Sequence, residues 1–379
     1  MNITIQDIYD YIHCNVVSDY NDAYVNDLLS IYGINDDDSI LLSTKYLFEQ
    51  VINDYNKKRN NIKRRIIQVL NLRSLNLPEQ RSKEWYKLRK KLLTASSLAA
   101  ALGECHFKSR EGLIKDKLDN GETPYKENAI TEWGVKYEEI ATKFYEKINN
   151  LEILEFGLIP HPKFNIFGAS PDGICSNNSP EEFIGRMLEI KVPPKRKFTK
   201  NVPKHYWYQM QGQLECCDLD ECDFFQVKLE EYDSYEDYCK DIFEIDGNVQ
   251  EGRTALNYPK GTVATYKTGE KLSYEFHPLN LSNEKLSEWV NDHKAKDNFF
   301  EAKYWKIERY ECTLVKRDKQ WWIDVIDKIL DFYNDLNKSK TNPEELENLK
   351  KRVELSKKRK KRQDPIPIND FDLISDDEN

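Results

Sequence analysis

Apolar side chains recur at helical spacing through the first part of the chain. One long helix is indicated by apolar residues that fall on a single face, namely Leu47, Val51, Tyr55, Ile62, Ile66 and Val69. The pattern stops before Pro78, which cannot continue a helix. We therefore predict that residues 1–78 form a separate N-terminal helical domain.

Helical and extended patterns alternate after residue 80. Ser82 is a suitable N-cap for a helix that continues to about Leu93. Residues 94–96 (Thr-Ala-Ser) then begin a short helix that Gly103 ends. This part of the chain is thus expected to hold two consecutive helices joined by a tight connection.

A longer amphipathic helix is predicted to begin at Thr131. Its apolar side is formed by Trp133, Tyr137, Ile140, Phe144 and Ile148. Glu138 lies on the flank, between Gly134 and Ala141, whose small side chains allow close approach to a facing group. Glu138 is therefore a candidate for a site on that flank.

A strand–turn–strand pattern follows. Phe164 to Phe167 reads as a strand, and Ser-Pro-Asp-Gly around Asp172 is a turn sequence because proline presets φ and glycine permits φ > 0. Residues 187–192 alternate, with apolar residues on one face and Glu189 and Lys191 on the other. Two strands joined around this turn would bring Asp172 and Glu189 to one end of a sheet.

The remaining pattern completes a mixed α/β domain over residues 79–337. It predicts helices over residues 205–214 and 321–336, and strands over residues 224–229 and 304–315. Residues 230–246 carry eight acidic side chains and one basic one, and we interpret residues 230–300 as an irregular, turn-rich insertion. Residues 338–379 are predicted to be a charged, mobile tail.

Composition narrows the class of protein. The chain has 379 residues, a net charge of −9 and 32% charged residues, with no segment of the apolar length of a membrane span and no signal-peptide pattern at its start. An intracellular protein is expected, with a nucleus or a viral replication compartment as candidate locations. The eight cysteines show no CxxC spacing, so reduced thiols are expected. The spacing also disfavours an iron–sulfur cluster on Cys105, Cys216, Cys217 and Cys222.

Positive charge is concentrated beside the strand that carries Glu189. Between Arg186 and Lys204 there are seven Lys or Arg residues and one acidic residue. Candidate contacts to DNA phosphates are Lys195, Arg196 and Lys197. A second basic run, residues 357–362, is interpreted as solvated charge, with a nuclear-import signal or a DNA tether as alternatives.

The residues around the turn suit phosphodiester hydrolysis. Carboxylate and carbonyl oxygens are the ligands that Mg²⁺ prefers, which makes Asp172, Glu189 and the carbonyl of Ile190 candidate ligands, with Glu138 as a third carboxylate. Two ions about 3.5–4 Å apart could activate water and hold the leaving oxygen. Lys191 could orient the attacking water. Taken alone, however, Pro-Asp-Gly is usually a turn and Glu-x-Lys usually an ion pair, so the combination carries the hypothesis.

Five segments together resemble a known family. They are Arg81–Gly103, Glu132–Ala141, Gly168–Ile174, Leu188–Pro193 and His205–Leu214. These segments and their order resemble the motifs of the PD-(D/E)XK nuclease superfamily, and within it those of the lambda exonuclease or YqaJ-like viral recombinase branch. The resemblance implies a restriction-endonuclease-like α/β core, a mixed sheet flanked by helices. It covers roughly residues 81–229. Residues 1–78, 230–300 and the tail have no counterpart in the compact phage enzyme.

The resemblance also implies roles for single residues. Glu138, Asp172 and Glu189 match the family's metal-binding carboxylates, and Lys191 matches its catalytic lysine. Gln209 matches a helix glutamine near the active site. The cofactor implied is Mg²⁺, or Mn²⁺, as two ions.

A terminal-phosphate pocket is implied as well. Arg89 matches the arginine that receives a 5′ phosphate and Ser96 the serine that assists it, with Thr94 in the same turn. An arginine fork and backbone N–H groups at a helix start both bind phosphate. Without the resemblance, Ser96 would read equally well as a plain N-cap and Arg89 as part of a solvated face.

These observations predict a Mg²⁺-dependent DNA exonuclease, acting 5′→3′ on double-stranded ends in recombination, repair or replication of a virus-like genome. The alternatives are an endonuclease on the same core, or a non-catalytic DNA-binding module. Expected partners are DNA ends, a single-strand annealing or binding protein, and further copies of the chain, with no membrane association.

Overall fold

The computed structural model describes residues 3–34, 38–119, 129–194, 198, 201–279 and 282–362. The chain divides into two compact units, Met1–Asn71 and Leu72–Asn379. Among the helices that the structure describes, none is long and apolar enough to cross a membrane. The predicted domain limits at residues 78 and 337 stay predictions.

The N-terminal unit is helical. Its helices are α1 (Ile5–Cys14), α2 (Asp22–Ile31) and the greater part of α3 (Asp38–Arg73). Thr4 caps α1 in a reciprocal box with Asp7, which satisfies two backbone N–H groups at the helix start. The core is formed by buried residues of all three helices, among them Ile8, Ile12, Val25, Leu28, Phe48 and Ile52. The long helix that the sequence predicts is confirmed as α3.

The second unit contains the remaining helices. They are α4 (Lys83–Lys91), α5 (Leu98–Ala101), α6 (Arg110–Leu118), α7 (Ala129–Asn149), α8 (Lys204–Cys217), α9 (Tyr235–Lys240), α10 (Asn283–Lys294), α11 (Lys319–Thr341) and α12 (Pro343–Arg362). A 3₁₀ turn, Ala95–Ser97, leads into α5. Ser82 caps α4 by accepting from the backbone N–H of Trp85, as predicted.

The residues that the structure describes contain twelve strands in three sheets. The strands are β1 (Leu93–Thr94), β2 (Ile153–Leu154), β3 (Ile159–Pro160), β4 (Phe167–Ala169), β5 (Gly173–Cys175), β6 (Met187–Lys191), β7 (Glu221–Glu231), β8 (Phe243–Ile245), β9 (Asn248–Gln250), β10 (Lys260–Thr268), β11 (Lys271–Phe276) and β12 (Phe299–Lys316). The main sheet has the order β11-β10-β12-β7-β6-β5-β2. A small sheet has the order β1-β4-β3, and β8 pairs with β9.

The main sheet is mixed. β6 and β7 are parallel, whereas the other pairings in this sheet are antiparallel. A parallel pair needs a crossover, and α8 supplies it between β6 and β7. A mixed sheet flanked by helices confirms the predicted α/β fold class.

Two of the hydrophobic cores among the described residues hold the elements around the sheet. In one, Tyr137 and Phe144 of α7 pack with Leu188 and Ile190 of β6 and with Phe225 of β7. The other joins the small sheet to α5, α6, α11 and α12. Helix α8 lies close to this second core at Gly212, where an added Cβ would stand 2.9 Å from Phe167 and 3.2 Å from Ala95. A larger residue there would force α8 apart from β4 and from the 3₁₀ turn that contains Ala95.

The position predicted for the strand before the turn is wrong. Phe164 to Phe167 is not a strand; the strand is β4, Phe167–Ala169, and it belongs to the small sheet. The partner of β6 is β5, which starts directly after Asp172. Phe164 and Ile166 lie in a loop and pack against the second core, so their apolar pattern reflects burial and not a strand.

The description of residues 230–300 as irregular is also wrong. This segment contains α9, α10 and four strands, and β10 pairs with β12 in the main sheet from Lys260↔Lys306 to Tyr266↔Phe299. The sequence of β10 is KGTVATYKT, in which threonines replace the usual apolar run. β-Branched threonines suit a strand, but they give a weak apolar signal.

The prediction of a mobile tail over residues 338–379 is wrong for the first part of that segment. α11 continues to Thr341, and α12 spans Pro343–Arg362 with Leu349 and Val353 buried. The apolar stripe of α12 is only one residue wide and lies among many charged residues. The composition of this segment therefore gives little indication of a packed helix. Residues 363–379 lie outside the described residues.

Candidate active site

The turn at Asp172 is tied to the middle of the main sheet. Asp172 Oδ2 accepts a 2.6 Å hydrogen bond from the backbone N–H of Ile190 on β6. Gly173 follows in β5, and an added Cβ there would stand 2.3 Å from Ile153 Cγ2. The glycine therefore allows β5, the strand that follows Asp172, to lie close against Ile153 of β2.

Glu189 is a fully buried carboxylate whose two oxygens are both bonded. Gln209 Nε2 donates to Oε1 at 2.8 Å and Gln213 Nε2 donates to Oε2 at 2.7 Å. Lys191 Nζ lies 3.0 Å from Glu189 Oε1. A buried charge is costly unless it is paired and hydrogen-bonded, and this one has both kinds of partner.

Lys191 is held in one place rather than exposed on the strand surface. Its side chain is 6% exposed, and its Nζ lies 4.9 Å from the centre of the Tyr206 ring on α8. Together with the pairing to Glu189, this cation–π contact orients the ammonium. The sequence-level alternative of an exposed Glu-x-Lys ion pair is therefore wrong for this strand.

Gln213 is a site residue that the sequence analysis missed. It follows Gln209 by four residues, so both amides lie on one face of α8 and grip the two oxygens of Glu189. That spacing is visible in the sequence. The role of the two glutamines, however, depends on the position of β6, which carries Glu189, next to α8.

Glu138, on α7, lines one cavity together with Asp172 and Lys191. Its hydrogen-bond partner, however, is a different residue. Its Oε2 lies 3.1 Å from the guanidinium of Arg81, an ion pair in which both side chains are partly exposed. Arg81 precedes the N-cap of α4 and was not among the predicted site residues. Glu138 is thus near Asp172 but turned toward an arginine.

The carboxylates repel one another electrostatically. Removal from water, and then the negative charges of Glu189 and Glu138, raise the pKa of Asp172 well above its ordinary value. The N–H of Ile190 and the charge of Lys191 act in the opposite direction but do not cancel this effect. Such a site favours either a proton or an added cation at Asp172.

The donor set fits a hard cation in its chemistry. Asp172 and Glu189 offer carboxylate oxygens, and Ile190 lines the same cavity. Within the part of the chain that the structure describes, however, no three His, Cys, Asp or Glu side chains are gathered closely enough to hold a metal ion. The groups that would hold Mg²⁺ are Asp172, Glu189 and the Ile190 carbonyl, with Glu138, whose Oε2 is paired with Arg81, as a further candidate.

The predicted phosphate-pocket residues come together at the other side of the cavity. Arg89 donates to Ser96 Oγ at 3.2 Å, and Thr94 Oγ1 lies 3.2 Å from the same hydroxyl. The Arg89 guanidinium lies 4.7 Å from the ring centre of Trp85, which is 4% exposed. The helix that starts here is only a 3₁₀ turn followed by four residues, so its dipole is small. An anion in this pocket would therefore be bound mainly by the Arg89 guanidinium and by the hydroxyls of Thr94 and Ser96.

One cavity of about 100 Å³ joins both groups of residues. Its lining includes Glu138, Asp172, Ile190, Lys191 and Gln209, together with Arg89, Thr94 and Ser96. Residues of the lining that were not predicted include Gln80, Arg81, Ser170 and Gln213. The predicted DNA-strip residues Lys195, Arg196 and Lys197 lie outside the described residues.

Lys117 fixes the end of the helix that carries Arg89. Its Nζ donates to the backbone carbonyl of Leu92 at 2.7 Å and to that of Arg89 at 3.3 Å. Unpaired carbonyls at a helix end need such donors. Burial, and then the positive charge of Arg89, lower the pKa of Lys117 to about 8.

This lowered pKa gives a pH-dependent stability. In the unfolded chain Lys117 keeps its ordinary value of 10.5, so between pH 8 and pH 10.5 the unfolded state binds more protons than the folded state. The free energy of unfolding of the wild type should therefore rise with pH across this window relative to Lys117→Met, by on the order of 2 kcal/mol. Urea unfolding of both proteins at several pH values measures it. A difference in the free energy of unfolding, wild type minus Lys117→Met, that stays constant or falls as the pH rises would contradict the assignment.

Comparison with known proteins gives a family match over this region. Residues 84–220 match the family model of the YqaJ-like viral recombinase domain. A curated relative, an uncharacterized protein of Acanthamoeba polyphaga mimivirus, is 31% identical over 306 residues, which cover 73% of this chain and 56% of that protein. The chain thus spans about half the length of this relative.

Solved structures of two nucleases are also similar to the chain. An alkaline exonuclease from Laribacter hongkongensis matches with 20% identity and a TM-score of 0.41, over 72% of this chain and 100% of that one. A phage related exonuclease from Haemophilus somnus 129PT matches with 15% identity and a TM-score of 0.34, over 64% of this chain and 89% of that one.

Proposed function

We propose, from the match of residues 84–220 to the family model of the YqaJ-like viral recombinase domain, that the chain is a Mg²⁺-dependent DNA exonuclease that degrades double-stranded ends in the 5′→3′ direction. The observation that carries the proposal is the shared cavity. A carboxylate and lysine set suited to hydrolysis opens into the same space as an arginine and hydroxyl set suited to a terminal phosphate. An enzyme that cuts next to a DNA end needs both.

In the proposed reaction, a water oxygen bonds to the phosphorus of the first internal phosphodiester as the P–O3′ bond breaks. One water proton ends on O3′ and the other is released to solvent. Bound Mg²⁺ would supply water activation and charge neutralisation. Lys191, fixed by Glu189 and Tyr206, orients the attacking water and offsets charge on the phosphorus. Gln209 and Gln213 hold Glu189 in its orientation.

Cleavage of the P–O3′ bond leaves a phosphate on the new 5′ end. That group is the ligand that the Arg89 pocket would accept, so each cut would regenerate the substrate for the next. A terminal phosphate carries more charge than an internal phosphodiester and accepts both arms of an arginine fork. The contact of Trp85 with the Arg89 guanidinium supports a fixed orientation of that fork.

Several finer features stay predictions. These are the second metal ion, the strand polarity, a single-strand annealing or binding protein as partner, a homo-oligomer, and the cellular compartment. The basic strip at Lys195, Arg196 and Lys197 is likewise proposed to contact the DNA backbone.

Substrate topology tests the proposal. Purified protein with Mg²⁺ is incubated with linear, nicked and covalently closed circular DNA of the same sequence, with a chelator control. We expect loss of linear DNA, survival of closed circles, and no loss in chelator. Early loss of closed circles would favour an endonuclease on the same core. Retained binding to linear DNA without cleavage would favour a non-catalytic module.

A further inference from the structure

Arg81 has an unusual backbone conformation for its residue type. Its φ is +62°, in the left-handed region. Of the seven described non-glycine residues with positive φ, five are Asn or Asp, which tolerate this region, and Arg81 is one of the two that are not. An arginine residue in the left-handed region is strained, so this backbone conformation is locally unfavourable.

The side chain of Arg81 enters the candidate active site. Its guanidinium pairs with Glu138 Oε2 at 3.1 Å, and it lines the cavity together with Asp172 and Arg89. Gln80, its neighbour, is anchored by hydrogen bonds from its amide to the carbonyls of Phe156 and Pro171. This anchoring fixes the backbone from which Arg81 reaches Glu138.

The pairing distinguishes Glu138 from the other two carboxylates. Asp172 and Glu189 are adjacent across the β5–β6 pair, whereas Glu138 is held by a cation belonging to the protein itself. Within the described residues no three-carboxylate group is formed. The side chains of Arg81 and Glu138 are 46% and 36% exposed, and ion pairs at such exposure are weak and readily exchanged.

We propose that Arg81 is an exchangeable counter-ion for Glu138. It neutralises Glu138 in the metal-free protein and releases this carboxylate when a divalent cation enters, which frees the guanidinium for a phosphate of the bound strand. Arg81 is thus a positioning residue for Glu138. This inference rests on the proposed function, since it concerns the metal and DNA of the same cavity.

Binding of Mn²⁺ to DNA-free protein tests the exchange without any activity measurement. Electron paramagnetic resonance of free Mn²⁺ gives the affinity for wild type, Arg81→Gly and Arg81→Lys. Glycine suits φ of +62°, so the first variant should fold at least as well as wild type. We expect Arg81→Gly to bind Mn²⁺ roughly two- to fivefold more tightly, the range that an exposed ion pair supports. Arg81→Lys should stay close to wild type.

Two controls isolate the pair. Lys83→Ala removes an exposed cation two residues away that does not line the cavity, and it should leave the affinity unchanged. In a Glu138→Gln background, adding Arg81→Gly should no longer tighten Mn²⁺ binding, because the carboxylate to be released is absent. An equal tightening in both backgrounds would mean that Arg81 acts only through the general field of the cavity, and would overturn the exchange.

Duplex binding supplies the second half of the test. With Ca²⁺ in place of Mg²⁺, Arg81→Gly should bind linear duplex more weakly, and the slope of log affinity against log salt should fall by about one. Equal Mn²⁺ affinity in wild type and Arg81→Gly overturns the inference even if linear DNA is degraded. Intact linear DNA with wild type overturns the proposed function, while the Mn²⁺ comparison still decides the role of Arg81.

Discussion

Replacing Asp172 by asparagine should lower the single-turnover rate of DNA cleavage by at least about a thousandfold, or roughly 4 kcal/mol of barrier. The change keeps the size of the side chain, and the amide oxygen can still accept the hydrogen bond from the N–H of Ile190. It removes the negative charge that a divalent cation and an activated water require.

Folding should survive this change. Burial and the charges of Glu189 and Glu138 already disfavour the ionised form of Asp172, as the raised pKa shows. Because the variant removes that repulsion, its melting temperature should equal or exceed that of wild type. Asp327→Asn, on the exposed side of α11, is a matched control that should leave the rate unchanged. A rate for Asp172→Asn within tenfold of wild type would take this residue out of the chemistry.

Replacing Arg89 by alanine should abolish most of the preference for a 5′-phosphorylated end. Wild type is expected to degrade 5′-phosphorylated linear duplex faster than the 5′-hydroxyl form, because the guanidinium and the Ser96 hydroxyl lie together and are proposed to bind the terminal phosphate. Losing a charge-assisted bidentate contact should lower the rate on the phosphorylated substrate by about tenfold to a hundredfold. The rate on the hydroxyl form should change little.

Lysine at position 89 should restore only part of the preference, since a point charge cannot reproduce the planar fork. Lys90→Ala, on the exposed neighbour in the same helix, is the matched control for loss of charge alone. If wild type degrades both substrates equally, or Arg89→Ala keeps the full preference, the pocket does not receive a terminal phosphate.

Part of the site could be predicted because its information is local. A Pro-Asp-Gly turn and an alternating strand place Asp172, Glu189 and Lys191 on the same part of a sheet from periodicity alone. Arg89, Thr94 and Ser96 are close along the chain, and the structure brings them within hydrogen-bond distance. Their chemical roles stay predictions that the variants above test.

The rest depends on contacts between residues far apart in sequence. Gln213 is significant only because α8 crosses over β6, and Arg81 only because α7 brings Glu138 to it. Strand β10 gains its place from pairing with β12, about forty residues later, although its own apolar pattern is weak. Helix α12 was hidden because Leu349 and Val353 are isolated among charges, so only their burial identifies its inner face.

The most direct measurement follows the order in which labels leave a linear DNA duplex. One strand carries a labelled 5′ phosphate and a different label at its 3′ end, and the protein acts on it in Mg²⁺ with DNA ends in excess. We expect the 5′ label to appear first, as a mononucleotide, and the 3′ label to remain in long strands until late, with neither released by Asp172→Asn or in chelator. Early release of the 5′ label in oligonucleotides of many lengths, or equal release by Asp172→Asn, would contradict a metal-dependent 5′→3′ exonuclease at this site.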